Sequence, residues 1–252
     1  MNSLKTIRLR QSGYKKKTAM VENCLQEVLQ HLQLEHAFFR ENPLFSLLKN
    51  KLVSRDEKLA IVPKLHFLMM GLQDIFLLSE DHRKQSDLIQ SQINRHCLAH
   101  FSSWQQYMHD AELLASNGHF CYPPCSTALF QQDDLHLRRT QYLAVHHIVK
   151  NEHQPFFKLI VLVTLETSLR KIIEELHCIT RKLPISRKLQ FIQPQSVNTS
   201  LLFWLMQKNQ EKGLHCSSAQ ALISTEIMSE IYSLLNQTLH QWSTTSSPSI
   251  PL

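Results

Sequence analysis

An all-α fold, a single-domain bundle of about seven or eight helices, is what this sequence predicts, on three observations. Apolar residues recur at spacings of three and four along most of residues 18–242. No stretch of strand length alternates apolar with polar residues, and no segment repeats at solenoid period. The 252 residues include only four glycines, few for the tight turns of a many-stranded sheet.

The elements follow in order. Residues 1–17 lack apolar periodicity and read as a basic, disordered arm. Val21, Cys24, Leu25, Val28 and Leu32 trace one face of a first helix over about residues 18–40. Asn42-Pro43 breaks it, and Leu44, Phe45, Leu47 and Leu48 begin another. Ser54 and Glu57 form a capping box that opens a long apolar helix to about Ser79, with Pro63 expected to kink it. One further helix is predicted over about residues 86–116, terminated at Asn117-Gly118. A loop from Cys121 to Thr127 precedes helical patterns over about 133–150 and 155–183, the second opened by Pro155. After a connection holding Pro184 and Pro194, a helix is expected over about 200–214. Ser217 and Gln220 then cap a last one to about Trp242, and residues 243–252 read as a flexible tail.

Composition narrows the class. Apolar residues make up 43% and charged residues 19%, ordinary globular usage for a chain long enough to bury a core without staples. Apolar runs such as 159–165 are too short to cross a bilayer, and no signal segment opens the chain, so a cytoplasmic protein is expected. The six cysteines show no paired spacing of the zinc-binding kind, so free thiols are expected, with Cys121 and Cys125 as the one candidate local pair. The net charge of +6 sits largely in Lys5, Arg8, Arg10 and Lys15 to Lys17, which reads as a solvated arm rather than a specific nucleic-acid element.

Four stretches carry a resemblance. Asn42-Pro43-Leu44-Phe45 with Ser54 to Leu59 comes first, then Val62 to Asp74 around Pro63. The third is Asn94-Arg95-His96-Cys97-Leu98-Ala99-His100-Phe101-Ser102-Ser103-Trp104, continuing to Tyr107 and Asp110. The fourth joins Leu165-Glu166-Thr167-Ser168 to Gln207-Lys208-Asn209-Gln210-Glu211-Lys212-Gly213-Leu214. Over about residues 36–240 the chain resembles the haem-oxygenase-like superfamily, in particular its iron-containing redox enzymes. The third stretch is similar to a motif Asn-x-His-x-x-Glu-Asp-x-x-His-Trp. Asn94, His96, Trp104, Tyr107 and Asp110 match it, while Ala99, His100 and Ser103 stand where ligands are expected. The resemblance also places a ligand glutamate at Glu166, and in His-x-x-x-Glu-x-Gly-His it matches Glu211 and Gly213, with Gln207 and Leu214 replacing the histidines. A slip of one residue would bring in His215 instead.

The resemblance therefore implies a degenerate metal site whose surviving candidates are His96, His100, Glu166 and Glu211, with iron or no cofactor at all. Two ferrous ions need several carboxylates and imidazoles on inward faces, and alanine and leucine offer no donor atom. His96 and His100, four apart on a helix, could still form a two-His, one-carboxylate site with either glutamate. The plain alternative is two polar histidines on a half-exposed face. Glu166 interrupts an apolar stretch, where a carboxylate is costly without a partner, and an ion pair with Arg139 or Arg170 is the structural alternative to a ligand role. Unless Glu166 is so paired, its replacement by Gln is expected to leave stability unchanged or raised. His146-His147 and Glu152-His153 read as surface and loop residues. Two functions compete: a non-catalytic relative that binds a small apolar or amino-acid-like ligand, or a protein partner including a second copy of itself, and an iron-dependent oxidase of such a small molecule.

Overall fold

Capping chemistry sets most helix ends in the computed structural model, which describes residues 24–84, 86–120, 135–193 and 200–245. The expectations for residues 1–17, most of the tail and the Cys121–Cys125 pair lie outside these residues. All regular secondary structure among the described residues is helical. The first helix, α1, covers 24–40. The Asn42 side chain accepts from the Leu44 N–H to cap α2 (Pro43–Lys49), and its amide donates to the Asn236 carbonyl, which ties this corner to the last helix.

The Ser54–Glu57 box is present in full at the start of α3 (Arg55–Leu59). Pro63 then divides the apolar stretch into α4 (Ile61–Lys64) and α5 (His66–Ser79). It has no N–H for the Leu59 carbonyl and its ring crowds that oxygen, so α3 stops at Leu59. The composite Arg55–Ser79 stretch has the length and apolarity of a membrane span, a weak sign here. It is broken at Ala60 and Leu65, and Leu68, Leu72 and Ile75 are buried in the core. No clear membrane-spanning helix is found among the described residues.

The helix predicted over residues 86–116 is two helices, α6 (Leu88–His100) and α7 (Ser103–Ser116). Phe101 N–H reaches back three residues to Leu98, and Ser102 adopts φ −88°, ψ 1°, outside the helical basin. Adjacent serines, which compete for backbone hydrogen bonds, favour such a break. The Asn117-Gly118 terminator forms a Schellman motif. Gly118 has φ +81°, and the His119 and Gly118 N–H groups close on the Leu114 and Ala115 carbonyls.

Helix α9 (Pro155–Thr180) is the axis of the bundle, with 19 of its 26 residues buried, so neighbours surround it. Its hydroxyl residues Thr164, Thr167, Ser168 and Thr180 bond back to carbonyls of the preceding turn, which satisfies them inside the core. Around it pack α6, α8 (Leu135–Lys150), α10 (Leu201–Gln210) and α11 (Ser218–Thr245), while α5 lies against α6, α7 and α8. The expected Ser217–Gln220 box caps α11.

Candidate functional site

A small cavity lies where α5, α6, α7 and α9 meet. His96 and His100 come from α6, Ser103 from the start of α7, and Glu166 and Arg170 from α9. Met69, Leu72 and Phe76 of α5 and Phe191 supply apolar walls. A spacing of four puts 96 with 100 on one face of α6 and 166 with 170 on one face of α9, and the break at Phe101–Ser102 brings Ser103 beside His100.

The two imidazoles lie 4.4 Å apart between centroids, tilted by 47° to one another. His96 is buried and meets Phe76 edge-on at 5.7 Å. His100 Nδ1 lies 3.4 Å from the Ser103 hydroxyl. Burial, helped by repulsion from His96 and Arg170 and opposed by attraction to Glu166, pushes the His100 imidazole down to about 4. It is therefore neutral at pH 7, a hydrogen-bond acceptor rather than a cation.

Glu166 is half of an ion pair, the structural alternative weighed above. Arg170 Nη2 donates to Oε1 at 2.7 Å, and the Leu201 N–H, in the first turn of α10, donates to Oε2 at 2.9 Å. Each carboxylate oxygen thus already accepts a hydrogen bond, and the side chain bridges α9 to the N-terminus of α10.

Of the four candidate ligands, the structure brings together His96, His100 and Glu166. Glu211 does not line this cavity. It is exposed at the C-cap of α10, held by Lys208 and Gln207, which keep its carboxyl below the usual range. Ala99 and Gln207 line a second opening with His96, between α6 and α10. Leu214 is buried and His215 exposed. His146 is exposed and stacks on Tyr142, whereas His147, expected at the surface, is half-buried where α8 meets α11 and pairs with Glu230 at 3.1 Å.

These residues do not fit a carboxylate-bridged iron pair. Among the described residues no group of three or more His, Cys, Asp or Glu side chains is placed to hold a metal ion. The cavity encloses about 40 Å³, room for about three waters. A haem or an amino-acid-sized ligand would need the helices to part.

The matched residues that are not ligands have structural work instead. Asn94 accepts from the Asp81 N–H and donates to its carbonyl, clamping the turn before α6. Trp104 meets His66 edge-on at 4.9 Å, and the Tyr107 hydroxyl donates to the Val62 carbonyl at 2.8 Å. Asp110 accepts the N–H groups of Gln190, Phe191 and Ile192. No family model matches the chain, and no curated protein matches it.

Proposed function

We propose that the protein is a non-catalytic, cytoplasmic relative of the haem-oxygenase-like iron enzymes that keeps their bundle and binds a small ligand or a protein partner. The supporting observation is the Glu166 carboxylate. The residue that the resemblance makes a metal ligand is engaged at both oxygens, by Arg170 and by the α10 N-terminus. The other residues that carry the resemblance support a structural role: Asn94 clamps a turn, Asp110 a loop, and Trp104 and Tyr107 contact α5 and α4.

The oxidase reading draws on one fact, that His96 and His100 share the cavity with Glu166. It requires Glu166 to give up contacts in favour of a ferrous ion. The two readings predict opposite behaviour for Glu166→Gln. Because Glu166 is ion-paired, the replacement weakens a charge-assisted hydrogen bond and should lower stability by about 1 to 3 kcal/mol. That loss should be the same with and without ferrous iron in anaerobic thermal melts. A melting temperature that rises with iron in the parent and not in the variant would overturn the reading of a lost metal site, as would stoichiometric iron in protein purified from iron-supplemented culture.

A further inference from the structure

A second concave site lies away from the histidine cavity, between the C-terminal half of α9 and the corner formed by α2 and α3. It holds about 460 Å³, within the range of small-molecule clefts. Five cationic side chains line it: Lys49, Lys51, Arg55 and Lys58 from the corner, and Lys182 from beyond α9. Its one carboxylate, Glu175, is buried and already paired with Lys171 and, at 3.3 Å, with Lys49. Among the described residues no carboxylate lies within ion-pair distance of Lys51, Arg55, Lys58 or Lys182. The nearby acids are engaged elsewhere, Asp56 with His119 at 2.7 Å and Glu57 in the capping box.

Four cations brought together in a cleft repel one another, and a concave surface focuses their field on whatever enters. The geometry points to a binding site for a small molecule carrying two or more phosphate groups, held in the α2–α3–α9 cleft by Lys51, Arg55, Lys58 and Lys182. A nucleic-acid strand is disfavoured because, among the described residues, no aromatic side chain lines the cleft to stack a base. The floor is aliphatic, from Leu48, Val53 and Ile179, so it accepts an apolar portion beside the phosphates. This inference does not depend on the metal question, and the two sets of measurements fail separately.

Cys178 provides the readout, because it is a free, exposed thiol in the cleft wall. Its alkylation by iodoacetamide, followed by mass spectrometry of the peptide, should slow about tenfold in inorganic tripolyphosphate at about ten times its Kd. Calorimetry should show one site per chain that weakens as salt is raised. Lys58→Ala with Lys182→Ala should abolish both effects while leaving the thermal melt unchanged, since neither side chain has an ion-pair partner among the described residues. Lys58→Glu with Lys182→Glu should do so more completely. Absence of tripolyphosphate binding would overturn the proposal, and so would binding that protects no Cys178 or survives both double variants. Tighter binding of a single-stranded oligonucleotide, lost in the same variants, would replace it with a nucleic-acid site.

Discussion

Asp110 shows how one side chain fixes a wall of the cavity. It is fully buried, and its two oxygens accept three consecutive backbone N–H groups, from Gln190 at 2.7 Å and from Phe191 and Ile192 at 2.9 Å each. Burial pushes its carboxyl up while these three donors pull it down, and burial is the larger influence. The segment it holds carries Phe191, which packs edge-on against Tyr107 at 5.7 Å and closes the cavity beside His100. Asp110→Asn keeps the volume but turns one acceptor into an NH₂ group facing N–H donors. Urea unfolding should show a loss of about 2 to 3 kcal/mol, and faster proteolysis within residues 186–193. An unchanged midpoint would mean that the loop is held by packing of Leu189, Phe191 and Ile192 alone. Burial acts on thiols in the same direction. Burial pushes Cys97 and Cys216 up to about 12, which leaves them unreactive at neutral pH.

Between elements, α5 and α8 approach closely at Gly71 of α5. A Cβ there would lie 2.1 Å from the Gln141 amide nitrogen of α8, and that amide donates to the Phe67 carbonyl. A glycine inside a helix costs about 1 kcal/mol relative to alanine, so its presence reflects the crossing rather than the helix. Gly71→Leu should expel Gln141 and pry α5 from α8, lowering stability by about 1 to 3 kcal/mol as read from thermal melts. A variant as stable as the parent would show that the α5–α8 contact has slack. Helix ends with local chemistry were legible in the sequence: both capping boxes, Pro155 at a helix start, the Asn117-Gly118 terminator and the Pro63 break. The Phe101–Ser102 break was not, because apolar spacing continues across it and a serine pair is a far weaker breaker than proline or glycine. The contact of Gln141 with Gly71 was equally hidden, since no local pattern reports which helices cross.

For the whole molecule, the sequence named His96, His100, Glu166 and Glu211 together, and the first three line one cavity while Glu211 lies outside it. The Glu166 partner stayed open between Arg170, one helical turn away, and groups of other helices such as Arg139, whose approach no local spacing reports. The sequence also assigned the positive charge to the N-terminal arm. The cluster of Lys49, Lys51, Arg55 and Lys58 was visible as residues, but its convergence with Lys182 depends on α9 returning past α2. The buried histidines give the fold a pH dependence whose sign is fixed. His100 titrates at about 4 in the folded protein against an ordinary 6.5, and burial lowers His36 and His66 as well, with Arg40 and Lys171 adding to the effect on His36. Between those two values the unfolded chain binds more protons than the folded one. The histidine contribution to stability therefore rises with pH through this window, is complete above about 6.5, and is lost as pH falls toward about 4. Asp81, drawn down to about 2 chiefly by its hydrogen bond from Arg83, acts below this window, whereas Asp110, pushed up by burial, acts with the opposite sign at its acid end, so the His100 part is read as the difference between parent and variant. At 1.36 kcal/mol per unit, and allowing for partial exposure, His100 alone should account for about 2 kcal/mol of the change. Urea unfolding of the parent from pH 4.5 to 7.5 should show this loss on the acid side, and His100→Gln, which cannot titrate, should flatten the slope by about that amount. An identical slope in the variant would show that His100 is open to water in solution and that the cavity does not exclude it.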